Sequence, residues 1–226
     1  MATSALIVGG IVLPIYLQPN LSTTILLVVI WFSMLWISGI PTKYVVILGI
    51  VGVIGAISVF PFLEDYQQER ILTFLQPDEE ARYGNTYNVE QALITIGSGG
   101  LLGQGYGSAT QVQLRFLKVR STDYIFSAIA AEFGFIGTLF IIAVLVFIIL
   151  RCIKAAREAG DAYGALIAYG FATLIGFQTM VNIGVNLRVI PVTGQTLPFI
   201  SYGGSSLLSL LLGIGLIQSV LIHRKT

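Results

Sequence analysis

The feature that most constrains this chain is the apolar stretch at residues 124–150, which contains a single charged residue, Glu132. A helix needs about 20 apolar residues to cross roughly 30 Å of hydrocarbon, so this stretch is long enough to span a membrane. Charged residues make up 10% of the sequence and the mean hydropathy is +0.87, whereas soluble domains have about 25% charged residues. The sequence therefore predicts an all-α, polytopic membrane helix bundle.

Five further apolar segments accompany this stretch. The predicted spans are residues 2–17, 23–40, 44–63, 124–150, 163–183 and 205–222. Basic residues in the short turns and the tail all fall on one side of such a bundle, and the positive-inside rule makes that side cytoplasmic. These residues are Lys43, Arg151, Lys154, Arg157, Arg224 and Lys225. We therefore expect one membrane domain over residues 1–226, with both ends inside and residues 64–123 forming a large extracytoplasmic loop.

Charge and rare residues exclude several classes of protein. The net charge is +1, so no basic field points to nucleic acid. Cys152 is the only cysteine and His223 the only histidine, which excludes an internal disulfide and a Cys-rich metal site and disfavours a histidine-centred triad. The residues predict no metal site and leave open the use of a divalent cation such as magnesium or manganese.

The large loop has a polar and then a glycine-rich part. Residues 64–75 are predicted as an amphipathic helix, residues 76–88 as a polar turn region and residues 89–96 as a short apolar helix. The stretch "GSGGLLGQGYGS" follows. No strand precedes it and no GK[ST] ends it, which disfavours a nucleotide-binding loop and favours a tight surface fold against the membrane.

Several motifs occur together and in order. They are "YQQERILTFLQP", "GNTYNVEQALITIGSGGLLGQG", "STDYIF", "AEFGFIG" and "PVTGQTLPFISYGGSS". With them the chain resembles the SEDS family (shape, elongation, division and sporulation), and more its RodA, cell-elongation branch than its FtsW branch. The resemblance runs from about residue 18 to the end. Family members typically have ten spans, so the chain resembles the C-terminal portion, without the first four helices.

The resemblance implies an enzyme of the bacterial inner membrane with its active side outside the cytoplasm. Its activity would be that of a peptidoglycan glycosyltransferase, which polymerises lipid II into glycan strands during cell elongation. The implied partners are lipid II, membrane lipid and a class B penicillin-binding protein, which is a transpeptidase. Two alternatives stay open: a flippase for the lipid-linked precursor, because broken helices and polar stripes also suit transport, and a noncatalytic scaffold for the transpeptidase.

Asp123 stands at the edge of the longest apolar stretch. From the residues alone, Ser121, Thr122 or Asp123 would each be an ordinary N-cap for a helix beginning near Tyr124. The resemblance implies that Asp123 is the catalytic aspartate, and a carboxylate there could act as a general base toward a sugar hydroxyl.

Glu132 lies nine positions further along. On an ideal helix this places it about 180° around and roughly 13 Å deeper than Asp123, so a paired-carboxylate arrangement is disfavoured. An acid at that depth is expected to face the bundle interior and to have a structural, hydrogen-bonded or ion-paired role.

Substrate contacts are expected from two sets of residues. Guanidinium and ammonium groups suit phosphate, and the candidates are Arg70, Arg115, Lys118, Arg120 and Arg188. Gln178, Asn182 and Asn186 recur every four residues and form a polar stripe, which either borders a substrate cavity or makes interhelical hydrogen bonds. Thr193 and Ser201 offer hydroxyls in a segment that Pro191 and Pro198 keep nonhelical.

The sequence departs from the family pattern at several places. Asn20 and Ser22 replace an acid and a glycine, and Ala131 replaces the first of two adjacent acids. Tyr124 stands where the family has phenylalanine.

Overall fold

The computed structural model describes residues 2–18, 20–76, 85–114, 116–117 and 121–223. Within these ranges the chain forms nine α-helices and a short 3-10 helix, with no strand, which confirms the predicted all-α class. The helices are α1 (Ala2–Leu17), α2 (Leu21–Ile37), α3 (Thr42–Val59), α4 (Asp65–Leu75), α5 (Asn85–Ser98), α6 (Thr110–Gln113), α7 (Ile125–Arg157), α8 (Ala162–Asn186) and α9 (Gly204–Ile222), and the 3-10 helix is Phe60–Phe62.

The apolar helices match the predicted spans. Among the described residues, α7, α8 and α9 are long and apolar enough to cross a membrane. Three shorter apolar stretches, Thr3–Leu17, Leu21–Ile37 and Thr42–Gly52, lie in α1, α2 and α3. The number of crossings and their orientation stay predictions.

The large loop is helical in the two predicted places. Helix α4 confirms the amphipathic helix, and α5 confirms the short apolar one. Helix α5 begins at Asn85, so residues 85–88, expected in a polar turn, are helical instead. The rest of that turn region, residues 77–84, lies outside the described residues.

The chain divides into two compact units. The first consists of Met1–Glu69, Leu150–Leu174 and Gly213–Thr226, and the second of Arg70–Ile149 and Ile175–Leu212. In the first unit, the Ser33 and Thr173 hydroxyls form a 2.9 Å hydrogen bond. A Cβ at Gly213 would lie 2.0 Å from the Phe171 ring, so a larger residue there would require that ring to move.

The second unit has two apolar clusters. One consists of Val89, Ala92, Leu117, Tyr124, Val181 and Val185, and the other of Phe126, Leu145 and Leu197. Tyr124 and Phe126, the first and third residues after Asp123, belong to different clusters. The backbone that follows Asp123 is therefore anchored by the burial of two side chains.

Helix α7 is broken at Gly134, which has φ 69° and ψ −168°. The break leaves backbone N–H and C=O groups on both sides without partners inside the helix, and the glycine-rich segment forms hydrogen bonds with them. The N–H groups of Gln104 and Gly105 donate to the carbonyls of Ala131 and Glu132 at 2.9 and 3.0 Å. In return, Phe135 and Ile136 N–H donate to the carbonyls of Gly100 and Leu101 at 2.9 and 3.2 Å. Nonhelical backbone in an apolar segment is tolerated when its polar groups are satisfied in this way.

Candidate active site

Asp123 lies in the turn formed by residues 121–124, immediately before α7. Its neighbours in the turn are held through their backbone carbonyls. Ser201 Oγ donates to Thr122 O at 2.8 Å, and Tyr202 N donates to Ser121 O at 2.8 Å. The nonhelical segment before α9 thus fixes the turn that carries the carboxylate.

Two asparagines of α8 hold Asp123 itself. Asn182 Nδ2 donates to Asp123 O at 3.0 Å, and Asn186 Nδ2 donates to the same oxygen at 2.9 Å. Both side chains are buried, with 1% and 0% of their surface exposed. A carbonyl oxygen has two lone pairs, so these two donors saturate it.

The remaining polar atoms of the two asparagines extend this network. Asn182 Nδ2 also donates to Gln195 O at 2.8 Å. Asn186 Oδ1 accepts from Ser127 N at 3.1 Å and from Ser127 Oγ at 2.5 Å. The turn, α7, α8 and the segment around Gln195 are therefore joined by buried hydrogen bonds, which fix a side chain strongly when every member is satisfied.

The Asp123 carboxylate has a shifted pKa. Burial raises the pKa above its ordinary value of 3.8, and a hydrogen bond from the Thr122 side chain and the positive charge of Arg70 each oppose that rise. A carboxyl with a raised pKa holds a proton more readily than an exposed one. This property suits a general base.

The capping role considered for Asp123 is not seen. Among the described residues, no N–H of α7 donates to the Asp123 carboxylate, and Ala128 N donates to Tyr124 O at 3.2 Å in the first turn. An N-cap aspartate would accept from such an N–H. The carboxylate is instead available for other contacts.

A cleft with two arginines lies in the same unit. Arg70 of α4 and Arg188, which follows α8, line it together with Thr73 and Thr86. Its cavity volume is about 20 Å³, which is room for about one water molecule. The positive charge of Arg70 also acts to lower the pKa of the Asp123 carboxyl.

Other predicted residues fall in different places. Gln178 Nε2 lies 3.5 Å from Gln195 Oε1 at the end of the polar stripe, and Thr193 is partly buried in the nonhelical segment. Lys118 and Arg120, like Arg115, lie outside the described residues.

The Glu132 side chain has no polar partner in the part of the chain that the structure describes. Among the described residues it makes no hydrogen bond or ion pair, whereas its backbone carbonyl accepts from Gly105 N. The expected polar partner is therefore not found in this part of the chain. The predicted separation of about 180° between Glu132 and Asp123 assumed that both residues lie on one helix. Because α7 begins at Ile125, Asp123 precedes the helix, and the separation stays a prediction.

Ser127 and Gln195 belong to the network and were missed from the sequence. Ser127 lies in an apolar run, where a lone serine is usually an ordinary small residue, and Gln195 lies in a segment without periodicity. A weak signal existed for Ser127, because it is four positions after Asp123 and so lies one turn further along. Among the described residues, no group of three His, Cys, Asp or Glu could hold a metal ion.

The chain is similar to several known proteins. A family model described as cell cycle protein, named for FtsW, RodA and SpoVE, matches residues 1–226. The peptidoglycan glycosyltransferase MrdB of Escherichia coli K12 is 37% identical over 209 residues, covering 92% of this chain and 56% of MrdB. This chain thus spans little more than half of that relative.

Solved structures show the same fold. A chain of a peptidoglycan synthase complex that coordinates polymerization and crosslinking matches with a TM-score of 0.79 and 31% identity, over 98% of this chain and 61% of that one. The rod shape determining protein RodA of Thermus thermophilus matches with a TM-score of 0.63 and 29% identity, over 100% of this chain and 57% of RodA. This multi-pass membrane protein therefore belongs to the FtsW, RodA and SpoVE family of cell cycle proteins.

Proposed function

We propose that this chain forms the catalytic portion of a peptidoglycan glycosyltransferase that polymerises lipid II during cell elongation and maintenance of cell shape. The observation that carries the proposal is Asp123, a partly buried carboxylate whose backbone is held by Asn182 and Asn186. Membership of the family and the similarity to MrdB support the reaction class.

In the proposed reaction, the 4-hydroxyl of the acceptor sugar attacks the anomeric carbon of the growing strand. A carbon–oxygen bond forms there while the bond to the diphosphate oxygen breaks, and undecaprenyl diphosphate leaves. Asp123 accepts the proton of the attacking hydroxyl. The configuration at the anomeric carbon inverts, because attack and departure occur on opposite faces.

The predicted substrate-binding residues then have different parts. Asn182 and Ser201 are hydrogen-bonded to the backbone of the turn, so we assign them to positioning Asp123 rather than to contact with substrate. Arg70 and Arg188 line an open cleft and keep the phosphate-binding role. Gln178, Thr193, Lys118 and Arg120 stay candidates for contact with lipid II.

The same proposal includes the membrane location, the orientation and the partner of the whole protein. We place it in the bacterial inner membrane, with Asp123 facing outward and a class B penicillin-binding protein as partner, supported by the similarity to a chain of a peptidoglycan synthase complex. A cysteine at the exposed Tyr106 should react with an impermeant thiol reagent added to intact cells, and a cysteine at Gly160 should not. The reverse labelling pattern would refute the outward orientation.

The central experiment is Asp123→Asn in an active, full-length version of the protein. Asparagine keeps the shape of the side chain but cannot take a proton, and loss of a general base typically lowers the rate about 10²–10⁴-fold. We expect normal membrane insertion and polymerisation of lipid II at least about a hundredfold slower.

The control for this experiment is Ser121→Ala, because the Ser121 side chain is exposed and only its carbonyl joins the network. This variant should polymerise nearly as fast as the unchanged protein. Near-normal polymerisation by Asp123→Asn, at equal protein in the membrane, would exclude the catalytic role. Movement of lipid across vesicles without any polymer would instead favour a flippase.

A further inference from the structure

The ends of α7 and α9 border a cavity of about 430 Å³. This volume lies in the range of about 300–1,000 Å³ that small-molecule sites usually have. The residues that line the cavity all belong to the first unit, and none of them belongs to the site around Asp123. They are Arg151, Lys154, Ala155, Glu158, Leu221 and Ile222.

Charged side chains form one wall of this cavity. Arg151 and Lys154 are three positions apart on α7, and Glu158 follows four positions later. Glu158 N donates to Lys154 O at 3.1 Å, so the helical course continues to it and the three side chains share one face. Lys154 Nζ lies 3.6 Å from Glu158 Oε1, whereas Arg151 makes no ion pair among the described residues. The wall therefore carries two positive charges and one negative charge.

The helix dipole explains only part of this positive charge. Basic side chains are favoured in the last turn of a helix, and the effect falls off beyond that turn. Lys154 and Arg157 lie in the last turn of α7. Arg151 lies six residues before the end of α7 and directly after the apolar residues 139–150. In a membrane-spanning helix this is where hydrocarbon gives way to headgroups, so the Arg151 guanidinium is at the depth of lipid phosphates.

The rest of the lining is apolar. Leu221 and Ile222 are the last residues of α9, and Ile222 is 79% exposed. Ala155 lines the cavity with a single methyl group, which leaves space that a longer side chain would fill. A free phosphate gains nothing from an apolar wall, whereas a phosphate that carries hydrocarbon buries part of it there.

We propose that this cavity binds the headgroup of an anionic phospholipid, with the phosphate on Arg151 and Lys154 and the first acyl methylenes on Leu221 and Ile222. A guanidinium can form two parallel hydrogen bonds to phosphate oxygens. Basic pockets between membrane helices on the cytoplasmic side typically bind anionic lipids, and the positive-inside rule predicts that this end of α7 is cytoplasmic. Lipid binding here is independent of the catalytic role proposed for Asp123.

Glu158 makes the site sensitive to the charge of the headgroup. Its carboxylate repels a phosphate at short range and also attracts Lys154. Glutamine at this position removes the repulsion and leaves Lys154 available to the phosphate. We therefore expect Glu158→Gln to bind anionic lipid about fivefold more tightly, the gain that one charge near a membrane surface typically gives. A purely structural role of Glu158 would give a loss of affinity instead.

The test titrates the 226-residue chain in detergent micelles with phosphatidylglycerol, and native mass spectrometry counts the lipids bound. We expect one molecule to bind at least about fivefold more tightly than phosphatidylcholine, because only phosphatidylglycerol has a net negative charge. Arg151→Gln should weaken the binding of phosphatidylglycerol at least about tenfold, as for loss of hydrogen bonds to a charged group. Its melting temperature without added lipid should stay close to that of the unchanged chain, because the side chain is exposed.

Arg157→Gln is the matched control. It removes the same charge from the same end of α7, but Arg157 is exposed and does not line the cavity. A defined site predicts that Arg157→Gln binds phosphatidylglycerol as the unchanged chain does. Equal weakening by Arg151→Gln and Arg157→Gln would mean that only the general surface charge attracts the lipid, and the site would be refuted.

Three further results would overturn the assignment. Equal affinity for phosphatidylglycerol and phosphatidylcholine would mean that the cavity does not recognise an anionic headgroup. Displacement of phosphatidylglycerol by excess inorganic phosphate would make it a site for free phosphate, without use of the apolar wall. Weaker binding by Glu158→Gln would refute the predicted repulsion, whereas tighter binding cannot come from a loss of folding and would support the site.

Discussion

Asn186 donates from its side-chain amide to the backbone carbonyl of Asp123 across 2.9 Å, although the two residues are 63 positions apart in the sequence. The same amide nitrogen donates to Asn182 O at 2.8 Å, and Asn186 Oδ1 accepts from Ser127. One buried side chain therefore joins α7, α8 and the turn that carries the carboxylate. The catalytic role proposed for Asp123 depends on these hydrogen bonds, because a base must be held within hydrogen-bonding reach of the substrate hydroxyl.

The substitution Asn186→Asp tests the hydrogen bonds that the Asn186 amide donates. Aspartate has the same shape but no N–H, so the carbonyls of Asp123 and Asn182 each lose a donor. We expect the free energy of unfolding to fall by about 1–3 kcal/mol, the usual penalty for buried groups left without partners. In an active, full-length protein the turnover number should fall while KM for lipid II changes little.

Ser33→Ala is the control, because it removes the hydrogen bond between Ser33 and Thr173 in the other unit. It should lower stability by about 1 kcal/mol and leave turnover unchanged. Normal turnover in Asn186→Asp would show that the hydrogen bonds donated by Asn186 do not position Asp123.

The raised pKa of Asp123 predicts a pH dependence of stability. Burial favours the protonated form in the folded state, so the folded protein binds more protons than the unfolded chain between 3.8 and the raised pKa. The stability that this carboxyl contributes is therefore fully present below pH 3.8 and is lost as the pH rises through the folded pKa. Asp123→Asn should remove this dependence and unfold at a higher temperature than the unchanged protein at neutral pH.

Activity should respond to pH in the opposite direction. The base acts only when it is deprotonated, so the rate of polymerisation should fall as the pH is lowered through the raised pKa. Rates with constant lipid II would be measured over the acidic range. A rate limb centred at or below 3.8 would contradict a raised pKa for Asp123.

Tyr124 gives a stability prediction. Its side chain is 2% exposed, and among the described residues its hydroxyl has no hydrogen-bond partner. Removal of a buried, unpaired hydroxyl by Tyr124→Phe should raise the free energy of unfolding by about 1 kcal/mol.

The matched control is Tyr202→Phe, because Tyr202 is 81% exposed. Its hydroxyl is solvated in folded and unfolded chains alike, so its removal should change stability by less than about 0.5 kcal/mol. Chemical unfolding of both variants gives the comparison. Destabilisation of Tyr124→Phe would mean that the hydroxyl has a partner that it needs.

The apolar runs and the prolines made most of the helix positions predictable, because burial in lipid constrains length and composition directly. The polar stripe of Gln178, Asn182 and Asn186 was also visible as a four-residue period. The group that accepts hydrogen bonds from this stripe, the backbone carbonyl of Asp123, was not visible, because a backbone carbonyl leaves no signal in a sequence. Tertiary hydrogen bonds to backbone are specified by the whole fold rather than by residue type.

The break in α7 was hidden for a related reason. A single glycine in an apolar run is common, and Gly134 resembles any other helical glycine until its partner segment is known. The left-handed backbone of Arg188, which has φ 56° just after α8, was equally hidden, because glycine is the residue that normally indicates such a helix end.

The glycine-rich segment, residues 97–107, contacts the break in α7 closely at Gly103. Gly103 has φ 81°, and a Cβ there would lie 2.2 Å from Glu132 O and 2.6 Å from Gly134 N. Gly107 has φ 67° but no atom within 4 Å of such a Cβ. Alanine at 107 thus introduces backbone strain alone, about 1–2 kcal/mol, whereas alanine at 103 adds a collision with backbone that cannot yield.

Gly103→Ala should therefore destabilise the protein by about 1–3 kcal/mol more than Gly107→Ala. It should also raise the hydrogen-exchange rates of the Phe135 and Ile136 amides, because those two N–H groups donate to Gly100 and Leu101 across the break. Exchange followed by mass spectrometry on peptides covering the break measures this directly. Equal exchange and equal stability in the two variants would mean that the glycine-rich segment does not hold α7 at Gly134.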